Sequence, residues 1–79
     1  MNPSLAFGQA LRHFRTAVKL SQERLSQESG LDRSYISLLE RGLRQPSLTT
    51  IFQLSKALNT SPIKIISKVE ELLNENHKD

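Results

Sequence analysis

Apolar positions recur at helical spacing along this chain, and no stretch alternates apolar and polar residues long enough to suggest a strand. The pattern predicts five helices. The first runs from about Leu5 to Val18 behind a Ser4 cap, with Phe7, Leu11, Phe14 and Val18 on one face and Ala10 and Ala17 beside them. The second runs from about Gln22 to Ser29, capped by Ser21; Leu20, just before the cap, can pack on Leu25 as a hydrophobic staple. The third runs from about Arg33 to Arg41 behind Asp32, and Leu31 and Ile36 repeat the staple spacing. Gly42 suits the left-handed conformation that stops such a helix. The fourth runs from about Leu48 to Leu58 behind Ser47, with Leu48, Ile51, Leu54 and Leu58 sharing a face and Asn59 as its stop. Ser61-Pro62 opens the fifth, which continues to about Glu75; proline suits the first helical position because its missing N–H costs nothing there.

The stretch from Leu20 to Pro46 is the most informative. It forms two short helices joined by a tight turn at Gly30-Leu31. In the second of them Ile36 and Leu39 face inward, and Arg33, Ser34, Ser37 and Leu38 are left facing out. A helix fits the major groove of B-DNA, where each base pair shows a distinct donor and acceptor pattern. Reading that pattern requires polar side chains near the helix N-terminus, whose positive polarisation also suits phosphate. Arg33 has the fork for a bidentate pair with guanine, Ser34 and Ser37 can bond a base edge or a phosphate, and Leu38 can touch a thymine methyl. Tyr35 sits at the edge of this face, where it can reach DNA or pack inward. A lone arginine on a helix is more often simply solvated, and Arg33 by itself leaves that reading open.

Seventy-nine residues make one expected domain, spanning 1–79, with 62–75 as its C-terminal helix. The chain has no cysteine, so neither disulfides nor a thiolate metal site is available. The N-terminal stretch MNPSLAFGQALRHF lacks the build of a signal peptide, and no apolar run approaches the ~20 residues that span a membrane. A soluble, cytoplasmic protein is expected. The net charge of +3 is only weakly basic, but its distribution is uneven. Residues 1–19 carry Arg12, Arg15 and Lys19 and no acid, whereas Glu70, Glu71, Glu75 and Asp79 gather at the end, which is expected to fray into solvent. Positive charge therefore lies in the half that would meet phosphate. No catalytic set is legible. His13 and His77 are far apart, most serines sit at caps, and there is no glycine-rich phosphate loop or metal-ligand spacing. Neither an enzyme, a metal nor a cofactor is expected.

Taken together, Phe7-Gly8, Leu11-Arg12, Arg15, Leu20-Ser21-Gln22-Glu23, Leu25, Gly30-Leu31, Ile36, Glu40-Arg41-Gly42, Pro46-Ser47-Leu48 and Ala57-Leu58 resemble the helix-turn-helix domain of the phage lambda repressor and Cro family, also called the xenobiotic response element family. The resemblance covers about Phe7 to Ile66. The stretch Asp32-Arg33-Ser34-Tyr35-Ile36-Ser37 is also similar to controller proteins of restriction–modification systems. The resemblance implies an all-α, five-helix fold and a sequence-specific regulator of transcription. It implies that Gln22 donates to a DNA phosphate and braces the third helix, that Arg33, Ser34 and Leu38 read bases, and that Arg44 reaches backbone or the neighbouring minor groove. It further implies a partly buried structural ion pair between Arg15 and Glu40. Two positions depart from the family pattern: Ser26 stands where alanine is usual, and Asn59 where glycine is usual. Serine is nearly as small and can bond a carbonyl, and asparagine tolerates the left-handed conformation.

Ile63, Ile65, Ile66, Val69, Leu72 and Leu73 are too many apolar groups for a terminal helix on one small core. The expected split puts Ile63 and Ile66 in the core and Ile65, Val69, Leu72 and Leu73 in a two-fold interface, since this region commonly makes the dimer in the resembling family. A C₂ dimer presents two recognition helices about 34 Å apart, matching a palindromic operator. The expected partners are therefore double-stranded DNA and a second copy of the chain. Two other readings stand beside this one: an antitoxin whose C-terminal helix binds a toxin, and an adaptor that binds protein without specific DNA binding. A further protein partner would be a toxin or a polymerase subunit. Gln22, Arg33 and Arg44 favour DNA, because an adaptor has no need of donors arranged around a groove.

Overall fold

The computed structural model describes residues 1–75 and contains α1 (Pro3–Ala17), α2 (Gln22–Ser29), α3 (Arg33–Glu40), α4 (Leu48–Ala57) and α5 (Pro62–Glu75). His77, Asp79 and the expected frayed end lie outside the described residues. Caps set most of the boundaries. Ser21 Oγ accepts from Arg24 N–H (3.0 Å), Ser47 Oγ from Thr50 N–H (3.1 Å) and Ser61 Oγ from Lys64 N–H (3.3 Å). These bonds satisfy amides that have no partner within the helix.

Three boundaries differ from expectation. Asn2, not Ser4, caps α1: its Oδ1 accepts from Leu5 N–H at 2.8 Å, which lets Pro3 take the first helical position. The same helix ends at Ala17, because Lys19 turns to φ 62° and Leu20 N–H returns to Arg15 O (3.1 Å). Asp32 has the extended backbone of an N-cap but makes no side-chain capping bond, so the first-turn amides of α3 lack that acceptor.

The core draws on every helix. Ala6, Phe7, Ala10 and Leu11 of α1 meet Leu25 of α2, Ile36 and Leu39 of α3, Leu54 and Leu58 at α4, and Ile65 and Val69 of α5. Close approach of α1 to the end of α3 depends on Gly8. A Cβ there would lie 2.5 Å from Leu39 O and 2.6 Å from Glu40 O.

The packing corrects the apolar faces. On α4 and at its C-cap, Leu54 and Leu58 are buried and Ile51 packs against the core as expected, Thr50 and Ser55 are buried with them, and Leu48 at the first turn is exposed. On α1, Val18 lies past the helix end and is exposed, and Ala6 takes the inward place. The split on α5 is reversed. Ile65 and Val69 are buried within the protomer and cannot form an interface, whereas Ile63 is 77% exposed and Ile66 46% exposed. Leu72 and Leu73 are partly buried against the core. The reason is helical geometry. Positions 65, 69, 72 and 73 follow i, i+4, i+7 and i+8, so they form one stripe, and α5 lays that stripe on α1. Ile63 and Ile66 fall off it.

Candidate nucleic-acid interface

Between α2 and α3 the chain turns at Gly30, whose φ of 77° is left-handed and whose N–H donates to Ser26 O at 2.9 Å. Ser29 Oγ accepts from Leu31 N–H (3.2 Å), and Ser26 Oγ donates to Leu31 O. The serine that replaces the usual alanine thus bonds the turn carbonyl and helps fix the angle between the two helices. Asn59 adopts the left-handed conformation at φ 55°.

Behind α3 lies a polar clamp. Arg15 Nε donates to Glu40 Oε2 at 2.6 Å and Nη2 to Oε1 at 2.9 Å, while Nη1 donates to Leu20 O at 2.8 Å. The side chains are 12% and 5% exposed. Two parallel charge-assisted bonds in so dry a place form a geometrically specific tie between α1 and α3. The hydrogen bond that Arg15 donates to Glu40 raises the guanidinium pKa above its ordinary value, outweighing desolvation by burial. Gln22 joins the clamp, its Nε2 donating to Glu40 Oε1 at 3.1 Å. A primary amide has two N–H groups. One braces Glu40 and the other is left for a neighbour, at the start of α2 beside α3.

On the outer side, Arg33 and Ser34 are exposed on the first turn of α3, and Ser37 and Leu38 are half-buried one turn later. Ser34, Ser37, Leu38 and Arg41 fall at i, i+3, i+4 and i+7, one stripe of the helix. Arg44 is exposed in the loop that follows. Tyr35 resolves inward: it is half-buried, packs against the core, and its hydroxyl lies 3.5 Å from Thr50 Oγ1. Thr50 is in turn 2.9 Å from Ser47 Oγ, so a chain of hydroxyls joins the recognition helix to the start of α4.

Sequence reasoning passed over Thr50 and Leu43, and read Arg41 only as part of the helix end. Thr50 stands three residues after a serine cap, the spacing at which a second hydroxyl can join the cap. Arg41 and Leu43 flank Gly42, the residue that stops α3. His13 is exposed and stands edge-on to Phe14, with ring centroids 5.2 Å apart. Among the described residues, Arg33, Arg41 and Arg44 are exposed on α3 and its loop, other exposed basic groups stand at Arg12, Lys19, Arg24, Lys56 and Lys64, and the acids Glu70, Glu71 and Glu75 lie on α5.

A helix-turn-helix family model matches residues 11–65, which contain the whole clamp and α3. The chain belongs to the lambda repressor-like helix-turn-helix family. Among its relatives in that family is the control protein C.BamHI of Bacillus amyloliquefaciens, 47% identical over 62 residues that cover 77% of this chain and 76% of that protein. The control protein C.SmaI of Serratia marcescens is 45% identical over 58 residues, 73% of this chain and 69% of that protein. The crystal structure of the restriction-modification controller protein C.AhdI from Aeromonas hydrophila superimposes with a TM-score of 0.75 at 51% identity, covering 77% of this chain and 92% of that one. The clp gene regulator ClgR from Corynebacterium glutamicum superimposes with a TM-score of 0.92 over 98% of this chain and 82% of that one, at 25% identity. The helix-turn-helix assignment and the all-α, five-helix fold therefore hold for this chain. Among the described residues, no helix is long and apolar enough to cross a membrane.

Proposed function

We propose that this chain is a sequence-specific regulator of transcription that binds a palindromic operator in double-stranded DNA as a homodimer, with α3 in the major groove. The observation that carries the reading is the two-sidedness of α3. Its inner side is tied by the Arg15–Glu40–Gln22 clamp, and its outer side offers Arg33 and Ser34 on an open first turn. A reader must be rigid where it is held and polar where it reads. Arg33, Ser34, Ser37 and Leu38 meet bases, Gln22 and Arg44 meet phosphate, and Tyr35 acts from behind, through its packing. Similarity to C.BamHI, C.SmaI and C.AhdI favours the control of restriction–modification genes as the setting, in the cytoplasm and without enzymatic chemistry.

The second copy docks on the apolar residues that the fold leaves outside. Phe52 (57% exposed) and Leu48 stand one turn apart on α4, and Ile63 and Ile66 one turn apart on α5; Ile66 also borders an apolar hollow of about 170 Å³ together with Ile51. An isologous contact needs a patch complementary to itself, and an apolar patch with an adjoining hollow meets that need. This face replaces the interface expected at Ile65, Val69, Leu72 and Leu73. It also leaves the antitoxin reading a definite outcome, in which the same residues cover a toxin instead. Selection from a random DNA pool with the purified protein tests the main reading. An enriched palindrome with half-sites one helical turn apart is expected; no enrichment at low salt from folded protein overturns it.

A further inference from the structure

The last turn of α3 closes as a Schellman motif. Gly42 stands at φ 74°, its N–H donates to Leu39 O at 3.1 Å, and Leu43 N–H donates to Leu38 O at 3.0 Å. In this motif the residue beyond the left-handed glycine folds back over the residue whose carbonyl it bonds, and an apolar contact between the two usually accompanies the hydrogen bonds. Here both are leucines. Leu38 is half-buried without joining the apolar cluster that binds the five helices together, and Leu43 is 61% exposed. Single exposed leucines are ordinary on protein surfaces. The place of this one is not ordinary: Arg41 and Arg44 flank it, and Leu38 shares its helix stripe with Ser34 and Arg41. An apolar pair therefore sits within the basic, polar surface of α3.

We infer that Leu38 and Leu43 act together as a reader of the 5-methyl group of a thymine in the operator. The inference rests on α3 entering the major groove. Among the base edges displayed there, the thymine methyl is the apolar feature, and the other groups are donors or acceptors that leucine cannot satisfy. The surrounding arginines point to nucleic acid rather than to an apolar protein surface as the occupant, because burying them against such a surface would strip them of water without a partner. Two branched side chains can enclose a methyl that one would only touch. The motif fixes their relative position through backbone bonds, so the enclosure costs little ordering on binding. A base pair per half-site is then selected by shape and burial, beside those selected by hydrogen bonds from Arg33 and Ser34.

The experiment uses the full chain and the operator enriched from the random pool. Each thymine of the half-site is replaced in turn by deoxyuridine, which removes the methyl and leaves every hydrogen-bonding group in place. At one thymine per half-site the wild-type protein should bind about fourfold more weakly, the value of burying one methyl-sized group. Leu43→Ser and Leu38→Ala should each bind the thymine and uracil operators alike at that position, with helical circular dichroism unchanged for the exposed Leu43 variant. Three results overturn the inference: a half-site without thymine, equal wild-type binding to every uracil-substituted operator, or full discrimination retained in either variant. Failure to enrich any sequence overturns the groove reading itself, and the methyl reader with it.

Discussion

Arg33 is exposed, lies on the first turn of α3 and has no partner among the hydrogen bonds and ion pairs that tie the helix down. Replacing it should therefore leave the fold alone and act on binding. Arg33→Ala should weaken operator binding by about 1–3 kcal/mol and relax preference at one base pair per half-site; a repeat of the random-pool selection with the variant reads this directly, and an unchanged preference profile excludes Arg33 as a base reader. Gln22 is different, because one of its amide hydrogens is already committed to Glu40. Gln22→Ala should weaken binding to all sequences by a similar factor, from loss of a phosphate contact and looser bracing of α3. Competition against unrelated DNA measures this, and a loss confined to one base pair would contradict it. Glu40 accepts from both Arg15 and Gln22 in a nearly dry site. Glu40→Ala strands the Arg15 charge and should cost about 3–5 kcal/mol of stability, measurable by urea unfolding.

At the scale of elements, the recognition helix depends on what lies behind it. It has only eight residues, too few to be stable alone, and Asp32 gives it no side-chain cap. Its order comes from packing: Ile36 and Leu39 in the core, the clamp through Glu40, and the approach of α1 at Gly8. The backbone carbonyls that face Gly8 cannot move aside as a flexible side chain could. Gly8→Ala should thus separate α1 from α3 and lower the thermal midpoint, despite alanine's better helix propensity by about 1 kcal/mol. A rise in that midpoint would mean that the helices can slide apart at no cost. The turn before α3 behaves similarly. Ser26 and Ser29 bond Leu31 from both sides, so the angle between α2 and α3 rests on backbone and hydroxyl geometry as well as on apolar contact.

For the molecule as a whole, the proposed assembly rests on the apolar residues left exposed on α4 and α5. A chain this small buries about 60% of the surface its unfolded form exposes, so covering Phe52, Ile63, Ile66 and Leu48 also adds stability. Phe52→Asp should give folded monomers with much weaker operator binding, because an exposed side chain can be changed without touching the core. Mass in solution by light scattering tests this, and an unchanged dimer would remove α4 from the interface. Ile65→Asp should instead unfold the protein, since that side chain is fully buried within the protomer.

Local signals were enough for much of this protein. Serine caps, the Ser61-Pro62 start and the left-handed glycines are decided by interactions within a few residues, so Ser21, Ser47, Gly30 and Gly42 announce the ends of helices in the sequence itself. The helix-turn-helix and the outward places of Arg33 and Ser34 follow from that punctuation and the helical period. Long-range choices did not. Which of six apolar residues on α5 turn inward depends on how α1 receives the helix, and the receiving surface of Ala6, Phe7, Ala10 and Leu11 exists only once the chain is folded. Tyr35 could face either way until Thr50 and the core supplied its neighbours. The turn that carries Leu43 back toward Leu38 likewise needed the backbone bonds of a closed helix end. Sequence alone determined where the helices begin and stop at Ser21, Gly30, Gly42, Ser47 and Ser61, because capping is local, though not the Asn2 start of α1 or the uncapped Asp32; tertiary structure decided which faces are hidden, because burial is a property of two surfaces and a helix carries only one of them.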